Sequence, residues 1–263
     1  MKKFKVQIRT KNYTATPLRS SIFSSKRAIV RLGSTTDTKN AFPKASSLGR
    51  DIIEINTVES IENSRSKLRM KDRFASHGVP QANWFDCEET IRQGHLEELP
   101  YPLVAKRIYG FKGHGMALLN TQKELEDFVK ATNLDGYYFE QFHNYAREYR
   151  LHCDTTECFM TWRKLRRADA DNRWFFNSSN CNWVNEDHEL FNRPSNWAEI
   201  ERDCINAINS VGLTIGAVDV RVQSDKYPTP HYIICEVNSA PALGDLGIIK
   251  YREQITKIIT KYE

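Results

Sequence analysis

The chain of 263 residues predicts an α+β fold, on three observations. Strand patterns follow one another through short turns, as at 150–153 and 158–162, which read as an antiparallel meander. Helical patterns stand apart from them and carry their own caps. The apolar period switches accordingly. Val218, Val220 and Val222 alternate, whereas Trp197, Ile200, Cys204, Ala207, Ile208 and Val211 keep helical spacing.

In chain order, Phe4, Val6 and Ile8 alternate with Lys3, Lys5, Gln7 and Arg9, as in a half-exposed strand. Strands follow at 26–32 and 52–55. Asn56 with Glu59 forms a capping box, and 64–77 is a helix stopped by Gly78 and Pro80. Residues 99–106 form a strand, 110–115 a glycine-rich loop and 115–119 the returning strand. Thr121 with Glu124 caps a helix through 131. An apolar strand at 137–142 precedes the meander. Residues 166–196 are polar and aperiodic, the mark of a functional loop. Asn196 with Glu199 caps the best helix, which Gly212 ends. Strands at 216–222 and 232–237 flank a turn at 224–230, and 248–260 is a closing amphipathic helix.

The net charge of +5 is unevenly placed. Residues 1–31 hold nine Lys and Arg and no Asp or Glu, against 29 basic and 33 acidic residues in the rest. This segment reads as a lysine-protected strand edge or as a surface for an anionic partner. A second basic run is Arg163-Lys164-Leu165-Arg166-Arg167. No apolar run reaches the roughly 18–20 residues of a membrane span, and the N-terminus has no signal core. The six cysteines include no C-x-x-C pair. They read as reduced thiols, and the expected location is cytoplasmic. No histidine falls in a zinc spacing.

The end of the last strand reads Cys235-Glu236-Val237-Asn238-Ser239-Ala240-Pro241. Glu236 and Asn238 project to one side, roughly 6.5 Å apart. The strand before it puts Asp219 and Arg221 on the face opposite its valines. Asp219, Glu236 and Asn238 thus offer an all-oxygen set suited to Mg²⁺ or Mn²⁺. By itself, Glu-x-Asn at a strand end also reads as a solvated polar edge. Upstream, a strand ends in Lys106 and leads into Gly110-Phe111-Lys112-Gly113-His114-Gly115. Glycines let backbone N–H groups approach an anion, and a lysine adds a point charge. The loop joins strand to strand and lacks G-K-S/T, so it is neither a Walker A loop nor a dinucleotide fingerprint.

The order of these motifs resembles the ATP-grasp superfamily, with the closest likeness to the glutamate ligases that modify a ribosomal protein. Ser66-Lys67-Leu68-Arg69 through Gly78-Val79-Pro80 is similar to their helix-lysine segment, and 106–115 to their nucleotide-covering loop. Glu140-Gln141-Phe142 is similar to the adenine hinge and Glu148-Tyr149-Arg150 to the acid-x-arginine element. Ala217-Val218-Asp219-Val220 and Glu236–Pro241 are similar to the two metal strands. The resemblance covers residues 56–263. Ala242 departs from the glycine common after the proline, and the segment before Lys67 is short for the domain that usually opens such enzymes.

The resemblance implies an ATP-grasp fold of two α+β subdomains, 61–136 with the glycine flap and 137–263 with the metal site, after a short basic segment, 1–60. Lys67 and Lys106 would touch the ATP phosphates, with Gly113, His114 and Gly115 as the flap over them. Glu140, Gln141 and Phe142 would line the adenine, Glu140 and Phe142 through their backbone, and Glu148 would take the ribose. Asp219, Glu236 and Asn238 would hold one or two Mg²⁺, with Mn²⁺ able to substitute. Arg150 and Arg221 would hold the acyl phosphate or the acceptor carboxylate, and Arg173 and Asn177 from the 166–196 loop would face the transferring phosphate. The implied reaction joins a carboxylate to an amine, a small molecule, peptide or protein, by way of an acyl phosphate. A kinase on the same scaffold and a nucleotide-dependent binding module are the alternatives. A homo-oligomer is compatible with the sequence.

Overall fold

Short apolar strands early in the chain find their cover in its last helix. The computed structural model describes residues 10–11, 16–17, 22–24, 28–35, 53–94, 96–110, 113–170, 174–177 and 180–262. The strand expected through Phe4, Val6 and Ile8, Lys112 and Arg173 lie outside them. β1 (Thr10–Lys11) pairs antiparallel with β2 (Thr16–Pro17). β3 (Ile22–Ser24) pairs antiparallel with β4 (Ala28–Arg31), which pairs parallel with β5 (Ile53–Ile55). Ala28, Val30, Leu32 and Ile55 share a core cluster with Tyr251, Ile255, Ile258 and Ile259 of the closing helix. Arg31, counted above in the basic segment, adds nothing to the surface: it is buried and donates to Glu54 at 2.8 Å.

Asn56 fastens this sheet to the rest of the chain. Its Nδ2 donates to the Arg31 and Ile215 carbonyls, both at 2.9 Å, and its Oδ1 accepts from the Thr214 and Ile215 N–H groups. It sits at φ 58°, a region asparagine tolerates. The cap expected at Asn56 is therefore supplied by Thr57, whose Oγ1 accepts from the Ser60 N–H.

The helix expected over 64–77 is two helices, α1 (Val58–Arg65) and α2 (Lys67–Ser76). Ser66 is extended between them and its side chain caps α2, which places Lys67 at the first helical position. β6 (Trp84–Asp86), β7 (Leu103–Arg107), β8 (Ala117–Leu119) and β9 (Tyr137–Gln141) form an antiparallel sheet ordered β6-β9-β7-β8. α3 (Cys87–Gln93), capped by Asp86, and α4 (Gln122–Ala131), capped by Thr121, pack on it through Cys87 and Leu125. β9, expected to open the last unit, pairs with β6 and β7 in this sheet.

β10 (Arg147–Asp154), β11 (Cys158–Arg166), β12 (Cys181–Asn185), β13 (Ile215–Val222) and β14 (Tyr232–Asn238) form a second antiparallel sheet ordered β12-β11-β10-β13-β14. One face buries Tyr149, Leu151, Val218, Val220 and Val222 against α5 (Trp197–Ser210) and against Ile61, Met70 and Phe74 of α1 and α2. Each such valine contributes about 1.5–3 kcal/mol. The other face is divided. Met160 and Ile215 pack under α6 (Gly244–Thr260). There the buried His152 Nδ1 lies 3.0 Å from Tyr251 Oη. Burial, then Arg150, pushes the His152 imidazole down to about 3, so it stays neutral. The rest of the face carries charge and forms the site described below.

β12 corrects the structureless reading of 166–196. Asn196 makes no side-chain cap and donates to the Pro230 carbonyl. Among the described residues no helix is long and apolar enough to cross a membrane, and the six cysteines are free thiols.

Candidate active site

Strand register brings the charges together. On the divided face Glu148 stands opposite Lys164 and Arg221, Arg150 opposite Asp219, and Asp219 opposite Glu236. Arg150 grips Asp219 with both prongs, Nε to Oδ1 at 2.6 Å and Nη2 to Oδ2 at 2.7 Å, and Lys164 Nζ adds a contact to Oδ2 at 3.2 Å. Burial alone would raise the Asp219 carboxyl, but Arg150 and Lys164 outweigh it and hold it well below the usual range. Lys67 Nζ reaches Glu236 Oε2 at 2.5 Å across the gap between α2 and β14. Asn238 Nδ2 donates to Glu236 Oε1 at 3.1 Å. Lys164 also bonds Glu148, and Arg221 Nε lies 3.7 Å from it.

A second cluster sits on the β6-β9-β7-β8 sheet. Glu140 Oε1 accepts from Lys106 at 2.5 Å, and Oε2 lies 3.0 Å from Lys71 and 3.3 Å from Tyr138 Oη. Burial would raise the Glu140 carboxyl, yet Lys106 and Lys71 together hold it at about 2 against an ordinary 4.5. Stability from this group is therefore complete above pH 4.5 and is lost as pH falls toward 2. Urea unfolding at successive pH values should show Glu140→Gln losing stability less steeply than wild type across that window. Parallel curves would remove Glu140 as a source of acid sensitivity.

The structure places the remaining expected residues as follows. Gly113 and Gly115 adopt φ 76° and 73°, in the left-handed region, and a Cβ on Gly115 would stand 2.9 Å from Arg107 Nε. His114 between them is exposed. Gln141 Oε1 accepts from Asn83, on the surface. The Phe142 N–H donates to the Pro102 carbonyl at 2.8 Å, and the Gln141 N–H to Asn83. The hinge N–H expected for adenine at Phe142 is thus already committed. Glu140 is flanked by β6 and β7 on either side. Arg150 is directed at Asp219 and Arg221 at Glu148 and the Tyr145 carbonyl, and the buried Arg221 Nε makes no hydrogen bond to the described residues. Asn177 exchanges hydrogen bonds with Asn180 inside its loop.

Three groups escaped the sequence reading. Lys71 follows Lys67 by one helical turn and belongs to no motif. Lys164 sits in the second basic run, but strand alternation turns it inward while Arg163 faces the Leu190 carbonyl. Its pairing with Glu148 is visible once the meander register is drawn. Trp174-Phe175-Phe176 lies over the site: Trp174 meets Phe142 edge-on at 6.1 Å, and Phe176 lies beneath the guanidinium groups of Arg166 (4.5 Å) and Arg221 (5.4 Å). Phe175 reaches the flap, where a Cβ on Gly113 would stand 2.8 Å from its ring.

The donors fit a hard divalent cation. Among the described residues no three His, Cys, Asp or Glu side chains cluster for a metal. The set is instead two carboxylates on paired strands, completed by the Asn238 carboxamide. Oxygen donors of this kind suit Mg²⁺ or Mn²⁺. Lys67, Arg150 and Lys164 now balance the charge that a cation would balance.

No protein-family model matches the chain, and no curated protein matches it in sequence. Solved structures share its fold. A D-alanine–D-alanine ligase from Bacillus anthracis gives a TM-score of 0.59 at 16% identity, over 86% of this chain and 72% of that one. An N5-carboxyaminoimidazole synthase from Aspergillus clavatus, in complex with ADP and 5-aminoimidazole ribonucleotide, gives 0.55 at 15% identity, over 78% of this chain and 51% of that one. The ATP-grasp ligase PsnB, in complex with a minimal precursor, gives 0.55 at 16% identity, over 86% and 73%. The fold is that of the ATP-grasp ligases. The chain spans about half the length of the synthase.

Proposed function

We propose that this chain is an ATP-dependent ligase that joins a carboxylate to an amine through an acyl phosphate. One observation carries the reading: Lys67, Lys71, Lys106, Arg150, Lys164 and Arg221 meet Glu140, Glu148, Asp219 and Glu236, six cations against four carboxylates. An anion-binding surplus beside a hard-cation donor set is what a metal-bound triphosphate needs. Phosphoryl transfer asks for charge neutralisation and alignment more than for a protein nucleophile.

In this reading Lys67 and Lys106 bind the phosphates, Lys106 at the α-phosphate. Gly113, His114 and Gly115 cover them. Glu140, Gln141 and Phe142 line the adenine and Glu148 takes the ribose. Asp219, Glu236 and Asn238 hold Mg²⁺ or Mn²⁺, which when bound supplies charge neutralisation at the triphosphate. Arg150 and Arg221 hold the acyl phosphate or the acceptor carboxylate, Arg173 and Asn177 face the transferring phosphate, and Lys164 is added to the cations near it. The carboxylate oxygen takes the γ-phosphoryl group and ADP leaves. The amine then attacks the acyl carbon, phosphate leaves, and the amine gives up a proton. The acceptor is a small-molecule, peptide or protein carboxylate, and the amine an amino acid.

The test is phosphate release from Mg-ATP with pooled amino acids, polyamines, peptides and carboxylates, the products read by mass spectrometry. ADP with a product one water lighter than two substrates is the expected result. A phosphorylated alcohol without an amide bond would replace the ligase reading with a kinase.

A further inference from the structure

We infer that Lys71 is a positioning residue whose buried ammonium neutralises Glu140 and thereby frees Lys106 for the triphosphate. The inference rests on the nucleotide reading above. The two lysines that flank Glu140 are not equivalent. The Lys71 side chain is 0% exposed and the Lys106 side chain 17%. Lys71 lies one turn beyond Lys67 on α2, so the two project from the same side of the helix. The Ser66 cap that starts α2 fixes both positions. The Lys71 ammonium approaches Glu140 Oε2 at 3.0 Å in an ion pair. Lys106 takes the other oxygen, Oε1, in a direct hydrogen bond.

A buried carboxylate with one counter-ion holds it tightly, because separation would leave a bare charge out of water. With two counter-ions, one can leave. Lys71, enclosed on all sides, cannot be the one that turns to a ligand. Lys106, at the mouth, can. Tyr138 Oη, 3.3 Å from Oε2, further satisfies the carboxylate. Lys71 thus acts on the phosphates only through Glu140 and Lys106.

The test compares wild type, Lys71→Met, Glu140→Gln and the double variant Lys71→Met/Glu140→Gln. Two quantities are read: Mg-ATP affinity by calorimetry, and acylation of the Lys106 amine by acetic anhydride in the ligand-free protein, followed by peptide mass spectrometry. Lys71→Met should weaken ATP about tenfold or more, the loss of one charge-assisted contact, and should slow Lys106 acylation, since Glu140 then has Lys106 alone. The double variant should recover both quantities to the level of Glu140→Gln. A merely structural lysine would not be rescued by deleting the acid. Lys71→Gln replaces Lys71→Met if the latter does not fold. Unchanged Lys106 acylation in Lys71→Met, or no recovery in the double variant, overturns the inference. Wild-type protein that binds no ATP removes the nucleotide reading, and the acylation comparison still decides the role of Lys71.

Discussion

Glu236→Gln is expected to cut metal-dependent phosphate release by on the order of a hundredfold or more, the several kcal/mol that a correctly held cation supplies, while the fold survives. Both halves follow from where Glu236 stands. Its side chain is 30% exposed and its ion-pair partner Lys67 is 16% exposed. Either group can therefore turn to water when the other is lost, and a partly solvated pair contributes about 0–1 kcal/mol. The oxygen at Oε1 is different, because Asn238 orients it and Asp219 stands opposite on β13. Glutamine keeps the shape and the Asn238 contact but loses the negative charge that a hard cation requires. Phosphate release titrated with Mg²⁺, beside thermal unfolding, separates the two effects. Turnover equal to wild type would take Glu236 out of the metal set.

How much of this was legible in the sequence depended on distance along the chain. The acid and amide of 236–238 and the glycine flap are local patterns, since two-residue alternation and a φ requirement are written in neighbouring residues. The Thr121 cap was legible for the same reason. Asp86 with Glu89 is a capping pattern too, and it opens α3, but it follows a strand of three residues that no period announces. The break at Ser66 was hidden by continuous helical spacing on both sides. Asn56 illustrates a different limit. Its residue type suits a helix cap, yet four hydrogen bonds to Arg31, Thr214 and Ile215 prevail over the local one. Lys71 and Lys164 were illegible because their meaning is a partner: Glu140 is 69 positions from Lys71, and Asp219 is 55 from Lys164. Composition assigns lysines to the surface, and only pairing moves these two inside. The same is true of Phe142, whose N–H finds its partner in the Pro102 carbonyl, 40 positions away.

Arg150→Met should destabilise the protein by about 3 kcal/mol, the lower end of the range for breaking a buried ion pair. Asp219 is buried and its two oxygens receive both prongs of Arg150, so a bidentate, charge-assisted pair disappears at once. Lys164 remains at 3.2 Å and limits the loss, although it already serves Glu148. Trp183, which has the guanidinium at 4.9 Å, also loses a cation–π partner. The pH dependence fixes the origin of the effect. The depressed Asp219 pKa means that its stabilisation is complete above the unfolded value of about 3.9 and is lost as pH falls toward the folded one. The gap between wild type and Arg150→Met, measured by chemical unfolding, should accordingly be full at neutral pH and narrow below about pH 4. Asp219→Asn in the same background should recover part of the loss, because the stranded charge is gone. A gap that is constant with pH would trace the loss to the guanidinium contact with Trp183 instead of to the pair.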